Sequence, residues 1–198
     1  MKHLTEHARR FHGQVAREPG PYQDLHRGQR PQALMITCAD SRIQPSLMTG
    51  AAPGDLLELR TVGNIVPAYR LGSPCGTAAT VEFAIAALSV PAIVVMGHSG
   101  CEGVAALMDR RAAARMPLLD AWLDEAAYCS PETPGPNAGQ VRAAELEHLL
   151  NQVANLCTLP AVIRARFQER LAVHAWHYDV ATGRIQAWHP QEQEWLPL

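Results

Sequence analysis

The run Pro91-Ala-Ile-Val-Val-Met96, rich in β-branched residues and cut off at once by Gly97, constrains the fold of this chain more than any other feature. Such a run predicts a buried strand. Ala33-Leu-Met-Ile-Thr37 reads the same way, and residues 55–62 supply a third strand. Helical spacing fills the intervals. Residues 76–89 place Val81, Ile85 and Leu88 on one face, and further helices are expected over 102–115, 117–128, 139–156 and 160–170. Residues 130–137, with three prolines, read as a loop. Residues 171–178 and 184–188, joined by Asp179-Val-Ala-Thr-Gly183, read as a terminal strand–turn–strand. Strands alternating with helices predict an α/β fold with a mostly parallel sheet.

At the start of the chain, Leu4, Ala8, Phe11 and Val15 recur at helical spacing, so residues 2–17 predict an amphipathic helix. Pro19 and Pro21 end it, because proline cannot continue the hydrogen-bond ladder. The 198 residues fit a single domain, 1–198, with 1–20 as a helical arm. A net charge of −2 offers no electrostatic footprint for nucleic acid or an anionic membrane. No apolar run approaches the ~20 residues that span a bilayer, and residues 1–10 are polar. A cytoplasmic location is the expectation. Five cysteines, at 38, 75, 101, 129 and 157, do not suggest a disulfide framework in a reducing compartment. They leave metal binding or simple burial open.

Chemistry concentrates at two strand ends, where open α/β sheets bind ligands. Cys38-Ala-Asp-Ser-Arg42 follows the strand read at 33–37 and His98-Ser-Gly-Cys101 the strand read at 91–96. Imidazole nitrogen and thiolate sulfur are preferred zinc ligands, and three protein ligands with one open position describe a catalytic rather than a structural site. Water in that position would have its pKa lowered from about 16 to about 7. Asp40 and Arg42 point the same way in an extended segment. A bidentate arginine would keep the carboxylate ionised, able to orient zinc-bound hydroxide. The same carboxylate could instead bind zinc as a fourth ligand and close the site. Cys75, Cys129 and Cys157, and the other eight histidines, His148 and His177 among them, lack a partner motif. They read as core or surface groups.

Together these segments resemble the β-class carbonic anhydrases, over roughly residues 25–190. Cys38-Ala-Asp-Ser-Arg-Ile43 and His98-Ser-Gly-Cys101 are similar to the family's two signatures. Pro53-Gly-Asp55, Arg60-Thr-Val-Gly-Asn64, Gly76-Thr-Ala-Ala-Thr-Val-Glu82 and His174-Ala-Trp-His-Tyr-Asp179 are similar to its intervening and C-terminal blocks. The resemblance implies one zinc per chain on Cys38, His98 and Cys101, with Asp40 and Arg42 as the catalytic dyad. It implies a four-stranded parallel sheet plus an edge strand, flanked by helices. It also implies a homodimer or dimer of dimers whose N-terminal helix packs across the partner.

Further expectations follow from the family. Gln29 matches a glutamine of the plant-type branch that reaches substrate from the neighbouring subunit. The Gly63 amide is expected to help polarise a substrate oxygen, and Leu57, Val62 and Phe83 to line the pocket. Members with a second bicarbonate site carry tryptophan three residues before the first zinc cysteine. Met35 stands there in this chain, so the accessible form, with Asp40 on Arg42, is expected. Glu102 replaces the usual glycine after Cys101.

The implied reaction is reversible hydration of carbon dioxide to bicarbonate and a proton, with carbon dioxide and bicarbonate as small-molecule partners. Two other readings use the same residues: a carbonyl sulfide or carbon disulfide hydrolase on the same scaffold, and a non-catalytic, zinc-stabilised subunit. Both Asp40 and Arg42 are present, which weighs against the latter.

Overall fold

In a computed structural model, the structure describes residues 1–126 and 137–198. Cys129, most of the loop expected over 130–137 and the end of the helix expected over 117–128 lie outside these residues. In chain order the elements are α1 (Lys2–Arg17), β1 (Ala33–Cys38), α2 (Pro45–Thr49), β2 (Leu56–Thr61), α3 (Gly76–Ala86), β3 (Ala92–His98), α4 (Glu102–Met108) and α5 (Pro117–Asp124). There follow α6 (Ala138–Leu156), α7 (Pro160–Phe167), β4 (Ala172–Tyr178), β5 (Ile185–His189) and β6 (Glu194–Pro197).

The strands form one sheet in the order β2-β1-β3-β4-β5-β6. The first four are parallel and the last two antiparallel. The parallel four match the expectation, but two antiparallel strands follow where one was expected. β6 is a four-residue edge strand ending in proline, a pattern too short and too broken to register as a strand. Its Trp195 pairs with Trp188 of β5, ring centroids 5.5 Å apart, which binds the edge to the sheet.

Alternation along the strands sorts the core into two layers. Leu34, Ile36, Ile93, Val95 and Ala175 pack with Val81 and Ala84 of α3, Leu149 and Leu156 of α6, and Val162 and Ala165 of α7. Met35, Val94 and Met96 face the other way, onto Ile43. Met35 is thus fully buried on the face turned away from Cys38. Sequence-local caps place the helices. Asn137 and Gln140 form a reciprocal capping box at the start of α6, and Pro160 occupies the first turn of α7.

The helix expected over 102–115 stops at Met108 and continues as a separate 3-10 turn over Arg110–Ala112. The cause is Asp109, whose carboxylate accepts the Arg111 amide at 3.1 Å and competes with the helical ladder. α1 carries no buried residue. Its Phe11 meets Tyr22 edge-on at 5.6 Å, so the arm folds back on the segment that follows it.

The chain runs from β1 outward to β2, then crosses β1 to reach β3. The sheet therefore has its topological switch between β1 and β3, whose C-terminal ends bear Cys38 and His98. Crevices outside such switch points are where open α/β sheets hold ligands.

Candidate metal centre

At that switch point the ligand atoms of Cys38, His98 and Cys101, all three residues buried, lie within 4.8 Å of one another. Cys38 ends β1 and His98 ends β3. Cys101 follows a tight turn in which Gly100 has φ +64°, a left-handed conformation that favours glycine. Ser99 ties this turn to the end of β4: its amide donates to the Tyr178 carbonyl at 2.9 Å, and its hydroxyl accepts from the Val180 amide at 2.9 Å.

The donor set suits a metal cation on two observations. His98 Nδ1 donates to the Ser99 carbonyl at 3.0 Å. In a neutral imidazole this leaves Nε2 as the unprotonated nitrogen. That atom is buried and has no hydrogen-bond partner among the described residues. The two sulfurs are 4.0 Å apart. Two thiolates at this distance repel by about 4 kcal/mol at an effective dielectric constant of about 20.

Without a cation, therefore, one thiol keeps its proton and shares it. The Cys101 thiol lowers the Cys38 pKa, and the same pairing, with burial, pushes Cys101 up. A bound cation lets both sulfurs ionise. The Gly63 amide also donates to Cys38 Sγ at 3.4 Å.

Asp40 stands beside this cluster, with Oδ2 3.9 Å from His98 Nε2. Arg42 holds it in a fork: Nε donates to Oδ1 at 2.9 Å and Nη2 to Oδ2 at 2.6 Å, while the Arg42 amide adds a bond to Oδ1 at 2.9 Å. This guanidinium keeps the Asp40 carboxyl well below the usual carboxylate range. Nη2 reaches further to the Gly100 carbonyl at 3.0 Å, which links the Asp40 segment to the Cys101 turn.

Comparison with known proteins now bears on this arrangement. Over its whole length the fold is similar to a solved structure titled β-carbonic anhydrase CcaA, with a TM-score of 0.90 at 28% identity, covering 92% of that chain. A structure of tetrameric β-carbonic anhydrases from Sordaria macrospora matches with a TM-score of 0.75 at 27% identity, covering 94% of each chain. The carbonic anhydrase family model matches residues 33–185. A carbonic anhydrase of Pseudomonas aeruginosa is 40% identical over 84% of this chain and 77% of its own length. The chain belongs to the β-class carbonic anhydrase family. Its enzyme class is that of a carbonic anhydrase.

The remaining pocket residues expected from the family are dispersed within one chain. Gly63 reaches Cys38 through its amide, and Val62 precedes it, partly exposed. Leu57 pairs with Leu34, four residues before Cys38, roughly 13 Å back along the strand at about 3.3 Å per residue. It packs against the main core. Phe83 lies half-exposed on α3, and Gln29 is exposed in the segment before β1. Glu102 is exposed in the first turn of α4.

Three residues support the centre without having been singled out as site residues. Arg60 donates to the carbonyls of Cys38, at 3.1 and 3.2 Å, and Asp40, at 2.6 Å. His148 Nε2 donates to the Gly63 carbonyl at 2.7 Å, steadying the turn whose amide meets Cys38. Glu145 Oε1 accepts from the amides of Gly100 at 2.6 Å and Cys101 at 3.3 Å. Glu145, His148 and Gln152 are spaced three and four apart on α6 and are all buried. A polar stripe on the core face of a helix is the signal that marks them.

Proposed function

We propose that Cys38, His98 and Cys101 hold one zinc ion and that the chain hydrates carbon dioxide reversibly to bicarbonate and a proton, with Asp40 and Arg42 as the catalytic dyad. The observation that carries this reading is the orphaned, buried Nε2 of His98, facing two sulfurs and the arginine-held carboxylate of Asp40. Zinc bound there would act as a Lewis acid and bring the pKa of water toward about 7.

The protein's own groups do the rest. Asp40 has no proton to give at neutral pH, so it acts as an acceptor: it takes a hydrogen bond from the nucleophile and turns its lone pair toward the carbon of carbon dioxide. Arg42 holds both carboxylate oxygens, which keeps Asp40 off the metal and favours the accessible form of the site. The Gly63 amide stabilises the sulfur of Cys38; its single N–H would polarise a substrate oxygen only by turning from that sulfur. Val62 borders the pocket from its own chain. Leu57, Phe83 and Gln29 contribute from a second copy; Leu57 lies back along β2 beside Leu34 and the other two are exposed.

A dimer, or a pair of dimers, is therefore part of the reading. The unburied apolar residues Leu4 and Phe11 of α1 support it, as does the tetrameric state named for the Sordaria macrospora enzymes. The test is stopped-flow hydration of carbon dioxide run against sulfide release from carbonyl sulfide on the same zinc-loaded sample. Hydration much the faster of the two supports the proposal. Carbonyl sulfide turned over with negligible hydration would transfer the site to the hydrolase reading.

A further inference from the structure

Glu145 is a carboxylate that the proposed reaction does not use, on α6, with only 3% of its surface exposed. Burying a charge is costly unless it is paired and hydrogen-bonded, and each oxygen of this carboxylate has a distinct partner. Oε1 accepts the two consecutive backbone amides of the turn that delivers Cys101, from Gly100 at 2.6 Å and Cys101 at 3.3 Å. Oε2 faces His177 Nε2 at 3.5 Å. Burial holds the His177 imidazole below its ordinary pKa, so it stands neutral. Arg142 lies against its ring nitrogens. Arginine can only donate, so one imidazole nitrogen accepts and the other is left to donate. Arg142 is anchored in turn by Gln186 Oε1 at 2.7 Å. A continuous chain thus runs from β5 through Arg142, His177 and Glu145 to the backbone of Gly100 and Cys101.

Cys38 ends a strand bonded on both sides, and Arg60 grips the carbonyls around it. Cys101 sits instead in a turn at the start of α4, where Ser99 and the Gly100 carbonyl are tied to β4 and Arg42, and the amides of Gly100 and Cys101 are left to Glu145. We propose that Glu145 is a positioning residue for the metal centre: by accepting both amides at one oxygen, it sets where Cys101 Sγ points and so sets the zinc affinity. This rests on the reading that Cys38, His98 and Cys101 hold zinc. The work is done by the reach of Oε1 and not by the charge of the carboxylate.

Two polar variants of the chain separate reach from charge. Glu145→Gln keeps an oxygen at the Oε1 position, removes the charge and gives up the acceptor that faces His177. Glu145→Asp keeps the charge and withdraws the oxygen by one methylene. Zinc dissociation constants from competition with a chromophoric chelator are read beside the thiolate-to-cobalt absorption band of the cobalt-substituted proteins. The expected result is that Glu145→Asp weakens zinc on the order of tenfold or more and shifts the cobalt band, whereas Glu145→Gln stays within about threefold of wild type with its band in place. Zinc weakened by Glu145→Gln as much as by Glu145→Asp would overturn the proposal, and so would wild-type affinity and an unshifted band in both variants. A wild-type chain that holds no tight zinc would instead remove the zinc reading on which the proposal depends.

Discussion

An unpaired aspartate titrates near pH 3.9, so Asp40 would be ionised at neutral pH even without Arg42. What the guanidinium adds under those conditions is placement: both carboxylate oxygens are held in a fork, and a third bond comes from the backbone. Arg42→Lys keeps a positive charge but loses the fork. It should lower kcat on the order of tenfold to a hundredfold, a cost typical of misplacing a reacting group by ~1 Å, while zinc content stays at the wild-type level. An unchanged kcat in stopped-flow hydration would show that placement is not its role. His148 makes a separate prediction about stability. Burial holds its imidazole below the ordinary value, so the unfolded chain takes up a proton near pH 6.5 that the folded chain refuses. This group's contribution is complete above that pH and is lost as the pH falls below it. His177 behaves alike, also by burial, while the metal-free His98, raised on balance by Cys38 against its own burial, works in the opposite sense. The diagnostic is therefore a difference. Denaturant unfolding at about pH 7.5 and about pH 5.5 should show His148→Gln losing less stability than wild type over that interval; an equal loss would contradict the buried-neutral assignment.

Among the elements, α4 packs closely on the Val62–Asn64 turn. A Cβ at Gly103 would come within 2.8 Å of Gly63 Cα and 2.9 Å of Gly63 N. These are backbone atoms that cannot step aside, and the Gly63 amide next to them meets Cys38. Gly103→Ala should destabilise the fold by about 1–3 kcal/mol, as overpacking usually does, and weaken zinc binding as well. Thermal unfolding with and without zinc reads both effects. Which elements the sequence reveals follows the strength of local pattern. The β-branched run of β3 and the apolar run of β1 are legible because their side chains face packed layers on both sides of the sheet, and the two motifs are legible because they follow those runs directly. β6 is not, since Trp195 and Leu196 acquire their partners only when β5 is already in place. The break after Met108 depends on one aspartate turning its side chain back on the chain. Glu145 and His148 bond backbone groups 44 or more positions away, a separation at which spacing along the chain carries no information.

For the whole molecule, the proposed pocket draws on residues of two copies. Leu57 sits beside Leu34, well back along the strand from Cys38, Phe83 and Gln29 are exposed, and α1 displays Leu4 and Phe11, 65% and 43% exposed. A second copy would supply the first group and cover the second. Light scattering should find a dimer or a larger even assembly, and Leu4→Glu with Phe11→Glu should shift it toward monomer with a parallel loss of hydration activity. A fully active monomer would contradict that arrangement. Zinc removal acts at the same scale, because the ion would bind the folded chain and not the unfolded one. A chelator should lower the thermal midpoint, and stoichiometric zinc should restore it.

The most direct test is zinc analysis and stopped-flow carbon dioxide hydration on wild type and Asp40→Asn side by side near neutral pH. About one zinc per chain in both proteins, with hydration rapid in the wild type and reduced on the order of a hundredfold or more in the variant, is the expected result. Zinc in both proteins with equal hydration rates would contradict the role given to Asp40, and a wild type that binds zinc but does not hydrate carbon dioxide would contradict the proposed function itself.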